Sequence, residues 1–152
     1  MGLNPLRAFL RRHSRIALDT NVFIYHLEEI TRYLPLTDLI FSWLDQPDSV
    51  AITSTLTMTE LLVQPFRDRD EDKAELFYGL LSTYPNLLWI APDLEAANLA
   101  ARYRADHRLK AIDAVHAATA VQASATGLIT NDAVLARVAG IEVLVLETLL
   151  PI

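Results

Sequence analysis

The feature that most restricts the fold is a regular alternation of short apolar segments with longer amphipathic ones. The apolar segments are almost wholly aliphatic or β-branched, and each is short enough to form one strand: 15–19, 49–54, 86–91, 127–130 and 141–146. Stretches with helical spacing of apolar residues separate them. Short apolar strands joined by helices are typical of a parallel sheet that is covered on both faces. The sequence therefore predicts an α/β fold, a three-layer α/β/α sandwich around a parallel sheet of about five strands.

The domain organisation follows from length and from the charge at the N-terminus. A chain of 152 residues with 52% hydrophobic residues is the size of one domain with a substantial core. Residues 1–14 contain Arg7, Arg11 and Arg12, and we interpret them as a basic N-terminal arm or short helix. A solvated extension and a segment that holds phosphates or a partner are the two alternatives. Residues 15–152 are expected to form the single domain.

Composition excludes several classes of protein. Without cysteine the chain has no disulfides, thiolate ligands or cysteine nucleophile, so any metal must be held by oxygen or imidazole ligands. No apolar run approaches the roughly 18 residues of a membrane span, and no signal peptide is recognisable, so we expect a cytoplasmic protein. The net charge of −6 argues against a basic surface across the whole chain. Glycine-rich phosphate loops, GxSxG and HExxH are all missing from the sequence.

Two carboxylates directly follow predicted strands. Asp19 ends the first strand, and Asp132 comes two residues after the fourth. Either residue could simply cap the helix that follows, because Asp is a favoured N-cap. However, the carboxyl ends of strands in an open parallel sheet are where functional groups collect. Both interpretations remain open on the sequence alone.

Two further carboxylates lie in predicted helices. Glu60 comes three residues after Thr57, the spacing of a structural capping box. Asp113 lies in a helix that is apolar or small on almost every side, with Leu109 and Ala117 at the positions four residues away. A carboxylate on such a buried helix carries a desolvation cost of several kcal/mol unless something compensates it. A metal ion compensates that cost better than Lys110, the one local cation.

Together the four carboxylates predict a metal site. Gathered in one crevice, they would repel one another without cations, and their hard oxygen atoms suit Mg²⁺ or Mn²⁺. Acidic sites with such ions catalyse phosphodiester hydrolysis. Residues beside the carboxylates could orient them or contact the substrate: Thr20, Asn21, His116, Thr130 and Asn131. For His116, a hydrogen-bonded core histidine is the simpler alternative. The basic cluster from Arg102 to Lys110 could be a solvated face or could bind a phosphate backbone.

In these motifs the sequence resembles the PIN-domain family, especially toxin ribonucleases of the VapC type. The matching pieces are Leu18-Asp19-Thr20-Asn21-Val22, Thr59-Glu60-Leu61, Ile112-Asp113-Ala114 and Thr130-Asn131-Asp132. Their order and spacing fit from about residue 15 to the end of the chain. The resemblance implies Mg²⁺ or Mn²⁺ held mainly by Asp19 and Asp113, with Glu60 and Asp132 completing a catalytic site that cleaves RNA.

The resemblance also implies partners. Proteins of this kind form homodimers and are neutralised by a cognate antitoxin. Two other interpretations stay open: an inactive PIN-like module for RNA binding or assembly, and a nuclease directed at DNA. The residues alone do not separate RNA from DNA, because that choice depends on contacts to the 2′-OH and on groove shape.

Overall fold

The computed structural model describes residues 2–152. It contains five strands, named β1 to β5: Arg15–Leu18, Val50–Ser54, Leu87–Ile90, Gly127–Thr130 and Glu142–Val145. Seven α-helices, α1 to α7, span Leu3–Arg12, Thr20–Leu27, Leu34–Leu44, Thr55–Arg67, Glu71–Ser82, Leu94–His107 and Ala111–Gln122. Short 3₁₀-helices cover Ala133–Arg137 and Leu146–Leu149. Within residues 2–152, no helix has the length and apolarity needed to cross a bilayer.

All five strands are parallel and lie in the order β3-β2-β1-β4-β5. Strands β2 and β3 are added outward on one side of β1, and the chain then crosses back to place β4 and β5 on the other side. Ala17 in the middle of β1 is paired with Ile52 of β2 and with Leu128 of β4. The switch point of the sheet is therefore the crevice at the carboxyl ends of β1 and β4, where ligands bind in open α/β sheets.

Successive residues of the central strand supply the cores on the two faces. Ile16 and Leu18 of β1 pack into the cluster formed with α1 to α5, whereas Ala17 between them packs against α6 and α7. This alternation follows from the two-residue period of a strand. The three-layer α/β/α sandwich with a five-stranded parallel sheet is thus confirmed.

The N-terminal segment is not the solvated extension that we considered from its charge. Residues 3–12 form α1, and Leu6, Phe9 and Leu10 on one face of this helix are buried in the core. Phe9 also packs against Gly127 at the start of β4, where an added Cβ would lie 2.7 Å from the Phe9 ring. The arginines occupy the opposite face, so their spacing concealed an amphipathic helix. The division between residues 14 and 15 remains a prediction.

The sequence pattern predicts that the helix with Glu60 ends at Pro65 and that the helix with Asp113 ends near residue 125. The helix that carries Glu60 instead continues through Pro65 to Arg67, although the proline has no N–H to donate to the carbonyl four residues earlier. The helix that carries Asp113 ends at Gln122 rather than near residue 125. Neither difference moves a carboxylate away from the crevice at the switch point.

Candidate acidic site at the carboxyl edge of the sheet

Asp19 connects β1 to α2 and is buried, with 5% of its surface exposed. Its Oδ1 accepts a hydrogen bond from the Thr20 amide at 2.9 Å, so the residue does cap the helix. Its Oδ2 accepts a second bond, from the Thr130 hydroxyl of β4 at 2.7 Å. That bond crosses the switch point of the sheet. Capping therefore does not exclude a functional role, because each carboxylate oxygen accepts only one hydrogen bond and retains a further lone pair.

Glu60 is not part of a capping box, which was one of the two interpretations of its sequence. Helix α4 begins at Thr55, and its cap is Ser54, whose hydroxyl accepts from the Leu56 amide. Glu60 consequently lies in the second turn, and its Oε1 accepts from Thr20 Oγ1 at 2.6 Å. The spacing of Thr57 and Glu60 suggested a cap at Thr57, but the helix is capped one turn earlier, at Ser54.

His116 of α7 holds the same carboxylate from the opposite side. Its Nε2 lies 2.7 Å from Glu60 Oε1, and since an ionised carboxylate only accepts, the imidazole must donate from this nitrogen. Burial, the largest influence, raises the pKa of the Glu60 carboxyl, but hydrogen bonds from His116 and Thr20 outweigh it and the pKa is lowered overall. His116 is thus both a buried histidine and a partner of a site carboxylate. Glu60 is held in its ionised form.

Asp113 lies in the first turn of α7, and six of the seven residues from Ala114 to Ala120 that follow it are buried. Burial, and after it the negative charges of Asp19, Asp132 and Glu60, together raise the pKa of its carboxyl to about 6. His116 is the one group that acts in the opposite direction. The four predicted carboxylates therefore lie close enough to interact, and Lys110 does not neutralise the charge of Asp113.

Asp132 and Thr130 complete the far side of the crevice. The Thr130 hydroxyl, which donates to Asp19, also accepts from the Asp132 amide at 3.0 Å. Asp132 Oδ1 caps the following 3₁₀-helix by accepting from the Val134 amide. Asn21 lies partly buried in the first turn of α2. Of the five neighbouring residues proposed from sequence, Asn21 and Asn131 are the two for which residues 2–152 show no hydrogen bond to the four carboxylates.

The donor chemistry of the crevice suits a hard divalent cation. Carboxylate oxygens are the ligands that Mg²⁺ and Mn²⁺ prefer, and Mg²⁺ is commonly held by one or two carboxylates together with water. Among residues 2–152, no group of three or more Asp, Glu and His side chains is placed so that it could hold a metal ion. Asp19 and Glu60 are each hydrogen-bonded to other side chains, Thr130 and His116 respectively. The residues present fit an ion that retains part of its water shell.

A pair of stacked tyrosines beside Asn131 was not predicted from the sequence. Tyr25 and Tyr33 stack with ring centroids 4.0 Å apart, and Asn131 Nδ2 donates to both hydroxyls, at 2.9 and 3.1 Å. The Asn131 carbonyl accepts from the Glu147 amide at 2.7 Å, and the Tyr33 hydroxyl donates to the Glu147 carboxylate. These bonds fix the loop between Thr130 and Asp132. Asn131 was expected from its place beside Asp132, but its partners lie too far away in the sequence to be predicted.

A parallel sheet with four carboxylates at its switch point defines the class of this protein: an open α/β fold with an acidic site. The family to which the chain belongs is a more specific assignment than this class. The chain belongs to the PIN domain family, because the model of that family matches residues 16–141, most of the chain. The match includes all four carboxylates and begins after α1.

Solved structures with a similar fold come from several bacteria. The DNA-bound VapBC of Salmonella typhimurium has a TM-score of 0.67 and 18% identity, over 87% of this chain and 98% of that chain. VapBC2 of Rickettsia felis, bound to a promoter DNA fragment, has a TM-score of 0.66 and 15% identity, over 86% and 97%. A toxin-antitoxin complex from Klebsiella pneumoniae gives 0.58 and 21%, over 86% and 97%. At these identities the likeness establishes the fold alone. No curated protein matches the chain significantly.

Proposed function

We propose that this protein is a metal-dependent endoribonuclease that acts as the VapC-like toxin of a toxin–antitoxin pair. The observation that carries the proposal is the environment of Asp113, a half-buried carboxylate surrounded by three others and opposed by a single histidine. A protein that needed this region for folding alone would be more stable with a neutral residue at this position. The charge is best explained by a bound cation.

In the proposed site, Asp19 and Asp113 hold the ion, Mg²⁺ or Mn²⁺. When bound, such an ion stabilises the negative charge that develops during phosphodiester hydrolysis and makes water more acidic. Thr130 fixes the orientation of the Asp19 carboxylate through its 2.7 Å hydrogen bond. Thr20 and His116 both bond to Oε1 of Glu60, which leaves Oε2 available.

Glu60 and Asp132 position the water that attacks the phosphorus. Glu60 is partly exposed and has a lowered pKa, so it is ionised at neutral pH and can accept a proton from that water. Asp132 uses one oxygen to cap a 3₁₀-helix and can direct the other into the crevice. The bond from phosphorus to the leaving oxygen then breaks, the leaving oxygen takes up a proton from solvent water, and the two products are a hydroxyl end and a phosphate end.

The partners form part of the same proposal. Structures of this fold include complexes described as VapBC and as toxin-antitoxin, which supports a cognate antitoxin for this chain. We further propose that the protein forms a homodimer, that it is cytoplasmic, and that residues 15–152 are its single PIN-like domain. Net charge does not contradict RNA binding, because cations that neutralise phosphates need only line one part of the surface.

The test is cleavage of single-stranded RNA by purified protein with Mn²⁺ or Mg²⁺ and with EDTA. We expect cleavage when Mn²⁺ or Mg²⁺ is present and none in EDTA. The Asp19→Asn and Asp113→Asn variants should not cleave under either condition. Asp106→Asn, which neutralises an exposed carboxylate of α6, is the matched control and should cleave normally. Full activity of Asp113→Asn in a preparation free of other nucleases would overturn the proposal. Cleavage of single-stranded DNA but not of RNA would show that the protein is a DNA nuclease instead.

A further inference from the structure

The connector between α6 and α7, residues 108–110, presents cations next to the acidic site. It contains Arg108 and Lys110, and both are exposed. Neither Arg108 nor Lys110 forms an ion pair with another side chain among residues 2–152. In a chain with a net charge of −6, unpaired cations beside a cluster of carboxylates require an explanation.

The connector is held in a fixed shape. Leu109 between the two cations is buried in the core under α6 and α7, with 4% of its surface exposed. Arg104 Nε donates to the Leu109 carbonyl at 3.0 Å, and the Arg108 amide donates to the Arg104 carbonyl at 3.0 Å. Arg108 adopts the left-handed conformation, which ends α6 and turns the chain into α7. The two cationic side chains therefore project from an anchored loop.

The distance to the carboxylates is short. Lys110 is the N-cap of α7, and Asp113 lies three residues later in the first turn. Lys110 and Asp113 are therefore within one helical turn of each other, so a cation at position 110 can contact the backbone of a strand whose scissile phosphate lies at Asp113. No ion pair joins Lys110 to Asp113 among residues 2–152.

We propose that Arg108 and Lys110 form a phosphate-binding rim that holds the RNA strand on the α6–α7 side of the acidic site. This inference rests on the proposed function, because the ligand of the rim is the backbone of the same RNA. The positive charges of the rim attract the RNA backbone, which the negatively charged carboxylates repel. It acts on the sugar-phosphate backbone and contributes affinity rather than a choice of bases.

The test is binding of a short mixed-sequence single-stranded RNA in EDTA, measured at several salt concentrations. Each lost phosphate contact lowers the slope of log affinity against log salt by about 0.7 for a single strand. The Arg108→Gln/Lys110→Gln variant should therefore lose about 1.4 from the slope. Between about 50 and about 200 mM salt, its affinity should fall about sevenfold less than that of the wild type.

Arg67→Gln/Arg69→Gln is the matched control. It removes two exposed arginines, one of them also left-handed, at and just beyond the end of α4, about 10 Å along the helix axis from Glu60. The control should keep the wild-type slope. An unchanged slope in the rim variant, an equal loss in the control, or no RNA binding by the wild type at low salt would overturn the rim.

Cleavage by the wild type with Mn²⁺ is measured in parallel, so that the two proposals fail separately. Absence of cleavage contradicts the nuclease, while the binding slopes still decide whether the rim exists.

Discussion

Replacing Asp113 by Asn should make the metal-free protein more stable. The pKa of Asp113 is raised in the folded protein from 3.8 to about 6, first by burial and then by the neighbouring carboxylates. Between those two values the folded protein binds more protons than the unfolded chain, so stability falls as pH rises. The penalty is absent below about pH 4 and fully present above about pH 6. Asn has no proton to lose and avoids it.

The size of this effect follows from the pKa difference. A change from 3.8 to about 6 corresponds to about 3 kcal/mol at full strength. Because Asp113 is only half buried, solvent screens the repulsion, and we expect about 1–2 kcal/mol. For a domain of this size that raises the melting temperature by about 2–8 °C at pH 7.5.

The assay is thermal unfolding of EDTA-treated protein at pH 5 and pH 7.5. The stabilisation by Asp113→Asn should be larger at pH 7.5, whereas Asp106→Asn, at an exposed position, should have little effect at either pH. An Asp113→Asn protein that melts at or below the wild-type temperature at pH 7.5 would show that this carboxylate is not under electrostatic strain. The interpretation of the site would then lose its main support.

Three further outcomes are expected. Tyr33→Phe removes the hydroxyl that bonds to Asn131 and Glu147, so it should cost about 1–2 kcal/mol and slow RNA cleavage, whereas Tyr84→Phe, which removes a remote hydroxyl–carboxylate bond, should leave cleavage unchanged. Phe9→Ala should cost about 3–5 kcal/mol in urea unfolding, since α1 belongs to the core; a change below about 1 kcal/mol would mean that α1 is a dispensable arm. His116→Ala removes a bond that lowers the pKa of its carboxylate partner, so the acidic limb of the pH–rate profile should move to higher pH. An unmoved limb would separate His116 from the chemistry.

The fold was largely predictable because its pattern is local. Each strand is a short apolar segment, and β4 spans the expected residues 127–130. A short helix within residues 1–14 was one of the predicted alternatives, but its charge did not reveal that Leu6 and Phe9 are buried in the core. The capping-box interpretation of Glu60 was wrong, since the spacing of a capping box does not reveal at which turn a helix begins.

The sequence was sufficient to select the charged residues of the candidate site, but not the hydrogen bonds that join its residues to distant parts of the chain. Asp113 could be singled out because a carboxylate on a buried helix needs compensation, and that argument requires no knowledge of its neighbours. In contrast, the bond between Asn131 and Tyr25 joins residues 106 positions apart. No local sequence pattern pairs residues so far apart. The hydrogen bonds that fix the loop before Asp132 are therefore recognisable only in the three-dimensional structure.

The most direct test of the central claim is a thermal-shift titration of the purified protein with Mn²⁺. If the carboxylates form one cation site, the ion should stabilise the folded protein by about 2.7 kcal/mol at a hundredfold excess over Kd. Asp19→Asn and Asp113→Asn should lose this response, and Asp106→Asn should keep it. No shift in the wild type at millimolar Mn²⁺ or Mg²⁺, or a full shift in Asp113→Asn, would contradict the claim that these carboxylates bind a metal together.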